Sequence, residues 1–128
     1  MEPAITGKAI LVVDDEPDVT QILKDLLGSE SHRVESAPNG VVALRMLQER
    51  GFDLILSDIR MPELDGPGLY REVARRHPEL RQRFVFLTGD LLSPETLEFL
   101  EEARVPYLHK PFDLTEVRGV VQRALRAH

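Results

Sequence analysis

Five side chains of this chain have the types and order needed to hold a divalent cation beside a phosphoryl group. They are the adjacent carboxylates Asp14 and Asp15, a third carboxylate at Asp58, the hydroxyl of Thr88 and the ammonium of Lys110, which precedes Pro111. Carboxylates brought this close repel one another, so such a cluster is stable once a cation sits among them. An all-oxygen, partly hydrated site of few ligands suits Mg²⁺, which keeps several waters and often binds through carboxylates plus a phosphate. A carboxylate is already ionised at neutral pH and can act as a nucleophile without a general base, giving an acyl phosphate. The transfer then depends on positioning and on neutralising the phosphoryl oxygens. Mg²⁺ would take one oxygen, Lys110 a second as a point charge and Thr88 a third by hydrogen bond. Gly89 leaves room for the group to approach, and a lysine followed by proline suggests a cis bond that aims a side chain. Taken singly, each residue also has an ordinary reading. Asp14 and Asp15 serve equally well as caps of a following helix, Thr88 as a strand-end threonine and Lys110 as a surface lysine.

What gathers these residues is their place at the ends of short apolar runs: 9–13, 53–57, 84–87 and 105–109. Runs of that length alternating with helical patterns indicate a parallel α/β sheet, in which ligands bind outside the carboxyl ends of the strands. A half-polar stretch at 33–37 has the character of an edge strand. Between the strands, Glu16-Pro17 starts a helix whose apolar positions Val19, Ile22, Leu23, Leu26 and Leu27 form one face, with Gly28 closing it. Asn39-Gly40 marks a turn before a helix with Ala43, Leu44 and Leu47. A Pro- and Gly-rich loop (61–68) leads to a helix bearing Leu69 and Val73, ended by His77-Pro78. Ser93-Pro94 caps a fourth helix with a thin apolar face, Leu97 and Leu100. Asp113-Leu-Thr-Glu116 resembles a capping box for the last helix, whose core face is Leu114, Val117, Val121 and Leu125. Five strands and five helices in alternation, with right-handed crossovers, make a doubly wound three-layer sandwich. The weak second strand and Pro106 suit the two sheet edges.

Composition narrows the setting. The chain of 128 residues is one domain, expected over 8–127 after a lead-in or linker at 1–7, and it can bury a core without staples. It has no cysteine, which excludes disulfides and thiolate metal sites. No apolar stretch is long enough for a membrane span or a signal peptide, so a cytoplasmic location is the simple reading. A formal net charge of −6 argues against direct nucleic-acid binding.

These residues resemble the receiver domain of bacterial response regulators, over about residues 8–126. The resemblance rests on Ile-Leu-Val-Val-Asp-Asp-Glu (10–16), Asn-Gly-Val-Val-Ala-Leu (39–44), the stretch Asp53 to Gly66, Leu-Thr-Gly-Asp (87–90) and Leu-His-Lys-Pro-Phe (108–112), all in order. It implies a flavodoxin-like (βα)₅ fold with strand order 2-1-3-4-5. It implies a phosphoacceptor at Asp58, and Mg²⁺ held by Asp14, Asp15, Asp58 and the backbone carbonyl of Arg60. Thr88 and Lys110 would bind the phosphoryl group. Tyr107 matches an aromatic switch position that follows the threonine inward and remodels the face made by the fourth helix, fifth strand and fifth helix. The implied partners are a histidine kinase or a histidine phosphotransfer protein, with that same face open to homodimerisation. The implied chemistry is slow self-catalysed phosphotransfer and autodephosphorylation, a signalling role rather than metabolic catalysis. Arg60 and Asp90 lie two residues beyond Asp58 and Thr88, and their opposite charges suggest a pair that shields the phosphoryl group from water.

Two other classes compete. A pseudo-receiver would keep the fold as an interaction module without phosphorylation, and the complete set Asp14, Asp15, Asp58, Thr88 and Lys110 argues against it. A haloacid-dehalogenase-type phosphatase would carry its nucleophile on the first strand in Asp-x-Asp spacing, whereas Asp14 and Asp15 are adjacent. An EF-hand at 14–18 fails for want of the loop glycine. The stretch 87–100 resembles receivers attached to hybrid histidine kinases, an origin favoured over a free-standing regulator.

Overall fold

The apolar runs become strands because aliphatic and β-branched side chains can fill both faces of a sheet covered by helices on each side. The computed structural model describes residues 3–127. Strands β1 (Ala9–Val13), β2 (Arg33–Ala37), β3 (Leu54–Asp58), β4 (Phe84–Thr88) and β5 (Tyr107–His109) alternate with helices α1 (Pro17–Ser29), α2 (Gly40–Glu49), α3 (Gly66–Arg76), α4 (Pro94–Ala103) and α5 (Leu114–Arg126). A single 3-10 turn, Pro78–Leu80, follows α3. All strand pairs are parallel and the order is β2-β1-β3-β4-β5, as the resemblance implies. Among the described residues, no helix is long and apolar enough to cross a membrane.

Successive side chains of a strand point to opposite faces, and this splits the core in two. Ile10, Val12, Leu54, Leu56, Val85 and Leu87 meet Leu23 and Leu27 of α1 and Val117 and Val121 of α5. Leu11, Val13, Ile55, Phe84 and Phe86 meet residues of α2, α3 and α4 on the other side. Full burial of such side chains contributes about 1.5–3 kcal/mol each. On the second face Phe99 of α4 enters an aromatic group, 5.0 Å from Phe86 and 5.5 Å from Tyr70 of α3 between ring centres.

Four helices have capped starts that set where each leaves the sheet. Asn39, expected only to mark a turn, accepts a hydrogen bond from Val42 N, and Asp65 accepts one from Gly68 N. Ser93 and Asp113 cap α4 and α5 as expected, accepting from Thr96 N and Glu116 N.

Several expectations are corrected. Gly28 does not end α1, which runs on to Ser29; the positive-φ residue of the turn is Ser31, at φ 68°. The left-handed position falls three residues later, so Gly28 can stay helical. Ile22 is 50% exposed, because it precedes buried Leu23 by about 100° of helical turn and sits at the edge of the apolar stripe. Leu97 and Leu114 are also exposed, and the buried face of α4 is Thr96, Phe99, Leu100 and Ala103. Residues 1 and 2 of the expected lead-in lie outside the described residues. Within the remainder, Ile5 N donates to Gln122 Oε1 at 2.8 Å, and Gln122 Nε2 donates to Ile5 O at 2.9 Å, tying it to α5.

A close backbone approach lies under the carboxyl end of β3. Gly66 N donates to Ile59 O at 2.8 Å, and a Cβ on Gly66 would strike the Asp58 carbonyl oxygen and lie 2.9 Å from Ile59 Cα. Both obstacles are backbone and cannot rotate away. Gly66→Ala is expected to lower stability by about 1–3 kcal/mol in urea unfolding; an unchanged midpoint would mean that α3 withdraws freely.

Candidate functional site

In a parallel sheet all strands present their carboxyl ends at one edge, so residues far apart in sequence converge there. Val13 is paired with Ser57, which places Asp14, just beyond β1, beside Asp58, the last residue of β3. Asp58 is paired with Leu87, one residue before Thr88, and Lys110 N donates to Thr88 O at 2.7 Å. Asp15, Asp58, Arg60, Thr88, Asp90 and Lys110 line a cleft of about 430 Å³, with Gly89 on its wall. Asp14, Asp58 and Thr88 are buried, whereas Asp15 is exposed.

Each buried aspartate is held at both oxygens. Asp14 Oδ1 accepts from Glu16 N at 2.9 Å and Asp58 Oδ1 from Ile59 N at 2.8 Å. Their other oxygens face Lys110, whose Nζ lies 3.0 Å from Asp14 Oδ2 and 3.3 Å from Asp58 Oδ2. The same ammonium reaches Glu16 Oε1 at 3.1 Å. In the sequence Glu16 marks the helix start before Pro17, and nothing in its position there signals a place in the site.

One cation among three anions leaves an imbalance. Burial pushes both the Asp58 and Asp14 carboxyls above the usual range, and for Asp58 the neighbouring Asp14 charge adds to it. Lys110 pulls the other way on each without cancelling burial. Burial alone would make Lys110 shed its proton more readily, but Asp14, Asp58 and Glu16 together outweigh it and hold the ammonium protonated. The asymmetry has a simple cause: the lysine gains from three carboxylates, while each carboxylate has a share in one lysine. Asp14, Asp15, Glu16 and Asp58 can each bring an oxygen within 4.8 Å of the others. Hard oxygen donors carrying uncompensated negative charge fit a small divalent cation.

The remaining expected residues are nearby. Lys110–Pro111 is a cis peptide. Tyr107 of β5 is 45% exposed and pairs with Phe86, two residues before Thr88. Arg60 Nη2 donates to Asp90 Oδ2 at 2.9 Å, so the pair suggested by charge is formed. Asp90 N in turn donates to Thr88 Oγ1 at 3.1 Å.

A doubly wound parallel sheet with an acidic cleft and one lysine at its carboxyl edge defines a class of α/β domain, and the comparisons with known proteins specify the member. The family model described as response regulator receiver domain matches residues 10–122, and the chain belongs to that family. It is 34% identical over 124 residues to the sensor kinase CckA of Brucella abortus, covering 94% of this chain and 13% of that protein. It is 36% identical over 117 residues to the regulatory protein AtoC of Escherichia coli, covering 91% of this chain and 25% of that one. The chain thus spans between an eighth and a quarter of these two relatives. Among solved structures, the receiver domain of the sensor histidine kinase PA1611 from Pseudomonas aeruginosa has a magnesium ion coordinated in its active-site cleft. It is 31% identical, with TM-score 0.83 over 94% of this chain and 99% of that one. A receiver domain protein of Methanospirillum hungatei has TM-score 0.86 at 26% identity, over 95% and 96% of the two chains.

The charge imbalance has a measurable sign. With its folded value raised above 3.8, ionised Asp58 costs the folded state stability, fully at neutral pH and less as pH falls towards 3.8. Asp58→Asn is therefore expected to raise the urea midpoint in metal-free buffer at pH 7, with the gain shrinking on acidification. A variant less stable than wild type at pH 7 would contradict the stated imbalance.

Proposed function

We propose that this chain is a phosphorelay receiver in which Asp58 takes a phosphoryl group from a phosphohistidine on a histidine kinase or histidine phosphotransfer protein. The observation that carries the reading is the placement of Asp58 Oδ2 3.3 Å from Lys110 Nζ, with Asp14 on the same ammonium and Thr88 on the next strand. An oxygen of Asp58 attacks phosphorus, the P–N bond to the imidazole breaks, and its electron pair returns to the ring nitrogen. Asp14, Asp15 and Asp58, with the backbone carbonyl of Arg60, would hold Mg²⁺, whose charge offsets that of the phosphoryl oxygens. Lys110 turns from bridging carboxylates to facing a phosphoryl oxygen. The Thr88 hydroxyl, which accepts from Asp90 N in this structure, donates to another. Gly89 puts no side chain in the path. Water later hydrolyses the acyl phosphate.

Signal output follows from Thr88 moving inward. Tyr107, half exposed on the adjacent strand, can then turn into the vacated space and change the face of α4, β5 and α5. Both a sensor kinase and a regulatory protein stand among the relatives, and a phosphohistidine donor serves either setting. The magnesium ion in the cleft of the PA1611 receiver supports the choice of cation.

An apolar hollow beside the cleft suits a protein donor. Val19, Pro111 and Phe112 line it together with Lys110, and exposed Ile22 lies one turn further along α1 on the same side as Val19. These side chains offer an apolar seat for the helix that carries the histidine.

Incubation with acetyl phosphate is expected to add the mass of one phosphoryl group to the wild type, only with Mg²⁺, and none to Asp58→Asn. No gain in wild type would remove the reading. At a hundred times its dissociation constant, Mg²⁺ should also stabilise the wild type by about 2.7 kcal/mol. Ile22→Glu should slow transfer from the phosphohistidine protein about tenfold, the equivalent of about 1.4 kcal/mol. It should leave acetyl phosphate labelling intact; equal slowing with both donors would place Ile22 in the chemistry rather than in docking.

A further inference from the structure

We infer that Arg60 is an exchangeable anion ligand whose pairing with Asp90 latches the loop into α4 and whose transfer to the phosphoryl group releases it. The inference rests on the Asp58 reading above. Asp90 is held at three points. Its N–H donates to Thr88 Oγ1 at 3.1 Å, its Oδ2 accepts from Arg60 at 2.9 Å, and its Oδ1 accepts from Leu92 N at 3.0 Å and Ser93 N at 3.2 Å. Ser93 is the N-cap of α4, so one aspartate joins Thr88, Arg60 and the start of that helix.

Two of the three holds are made with groups that a phosphoryl group on Asp58 would recruit. Thr88 would give its hydroxyl to a phosphoryl oxygen and turn from the Asp90 N–H. Arg60 lines the same cleft as Asp58, and its guanidinium matches phosphate geometry at least as well as carboxylate. The side chains of the pair are 70% and 42% exposed, so their attraction is weak enough to be exchanged. A phosphoryl group carrying close to two negative charges competes well against a single, solvated carboxylate. Loss of both holds leaves Asp90 attached only through its bonds to Leu92 and Ser93, within the loop itself. The pair suggested from sequence as a shield is thus also a brace, and its exchange gives the α4 end of the output face a route of change separate from the rotation of Tyr107.

Hydrogen exchange by mass spectrometry over residues 90–97, with each sample also weighed intact, tests this on wild type, Arg60→Ala, Arg60→Lys and Asp90→Asn. Asp90→Asn keeps an acceptor for the loop amides but removes the charge. Acetyl phosphate with Mg²⁺ should accelerate wild-type exchange about fivefold as the segment opens locally. Unphosphorylated Arg60→Ala and Asp90→Asn should already exchange about threefold faster than wild type, with phosphorylation adding less than about twofold. Arg60→Lys should recover part of the protection. Exchange in Arg60→Ala or Asp90→Asn equal to that of unphosphorylated wild type, with the full response to phosphorylation, overturns the latch and leaves the Asp58 reading standing. A wild type that gains no phosphoryl mass removes that reading and the latch with it.

Discussion

One ammonium shared among carboxylates is the constraint on which the site depends. Lys110 lies within hydrogen-bonding distance of Asp14, Glu16 and Asp58, two of them buried. Unit charges about 4 Å apart in a partly buried setting interact by on the order of 4 kcal/mol, whether they attract or repel. The attraction of one lysine for these acids is therefore comparable with the repulsion among them, and the desolvation of the aspartates is left uncompensated. A site in this condition favours added positive charge. The same imbalance that costs the fold stability makes the site receptive.

The sheet makes the imbalance possible. Asp14 and Asp58 are side by side because Val13 is in register with Ser57. The inner strands β1, β3 and β4 are anchored by side chains buried on both faces, so slipping one of them by one residue would exchange the two cores wholesale. Nor can the carboxylates spread apart without shifting β1 against β3. On the α3 side Gly66 brings the helix start against the Asp58 carbonyl, leaving no slack beneath that residue. The register of β1 against β3 sets the two buried aspartates, and the segment after β5 brings Lys110 to them.

Much of this was legible in the chain. The five-fold alternation followed from the lengths and periodicity of the apolar runs, and the strand-end positions of Asp58, Thr88 and Lys110 followed from the same runs. Less legible was which members of an apolar stripe reach the core. Ile22 and Leu114 fit their helical patterns yet are exposed, because the edge of a stripe is buried only where a neighbour covers it. Helix ends were also imperfectly readable. Asn39 serves as a cap, and the left-handed residue after α1 is Ser31 although Gly28 stands close by.

By itself, the sequence determined the fold class, the residue types at the carboxyl edge and the chemistry that those types permit. It also placed opposite charges at Arg60 and Asp90. Tertiary structure alone decided that Glu16 joins Asp14 and Asp58 on one lysine, and that Asp90 links Thr88, Arg60 and the cap of α4. The reason is geometric. Periodicity encodes how a side chain faces relative to its own strand or helix, whereas distances between side chains of different elements depend on sheet register and on where loops close. Electrostatic balance is a property of those distances, so it first exists in the folded chain.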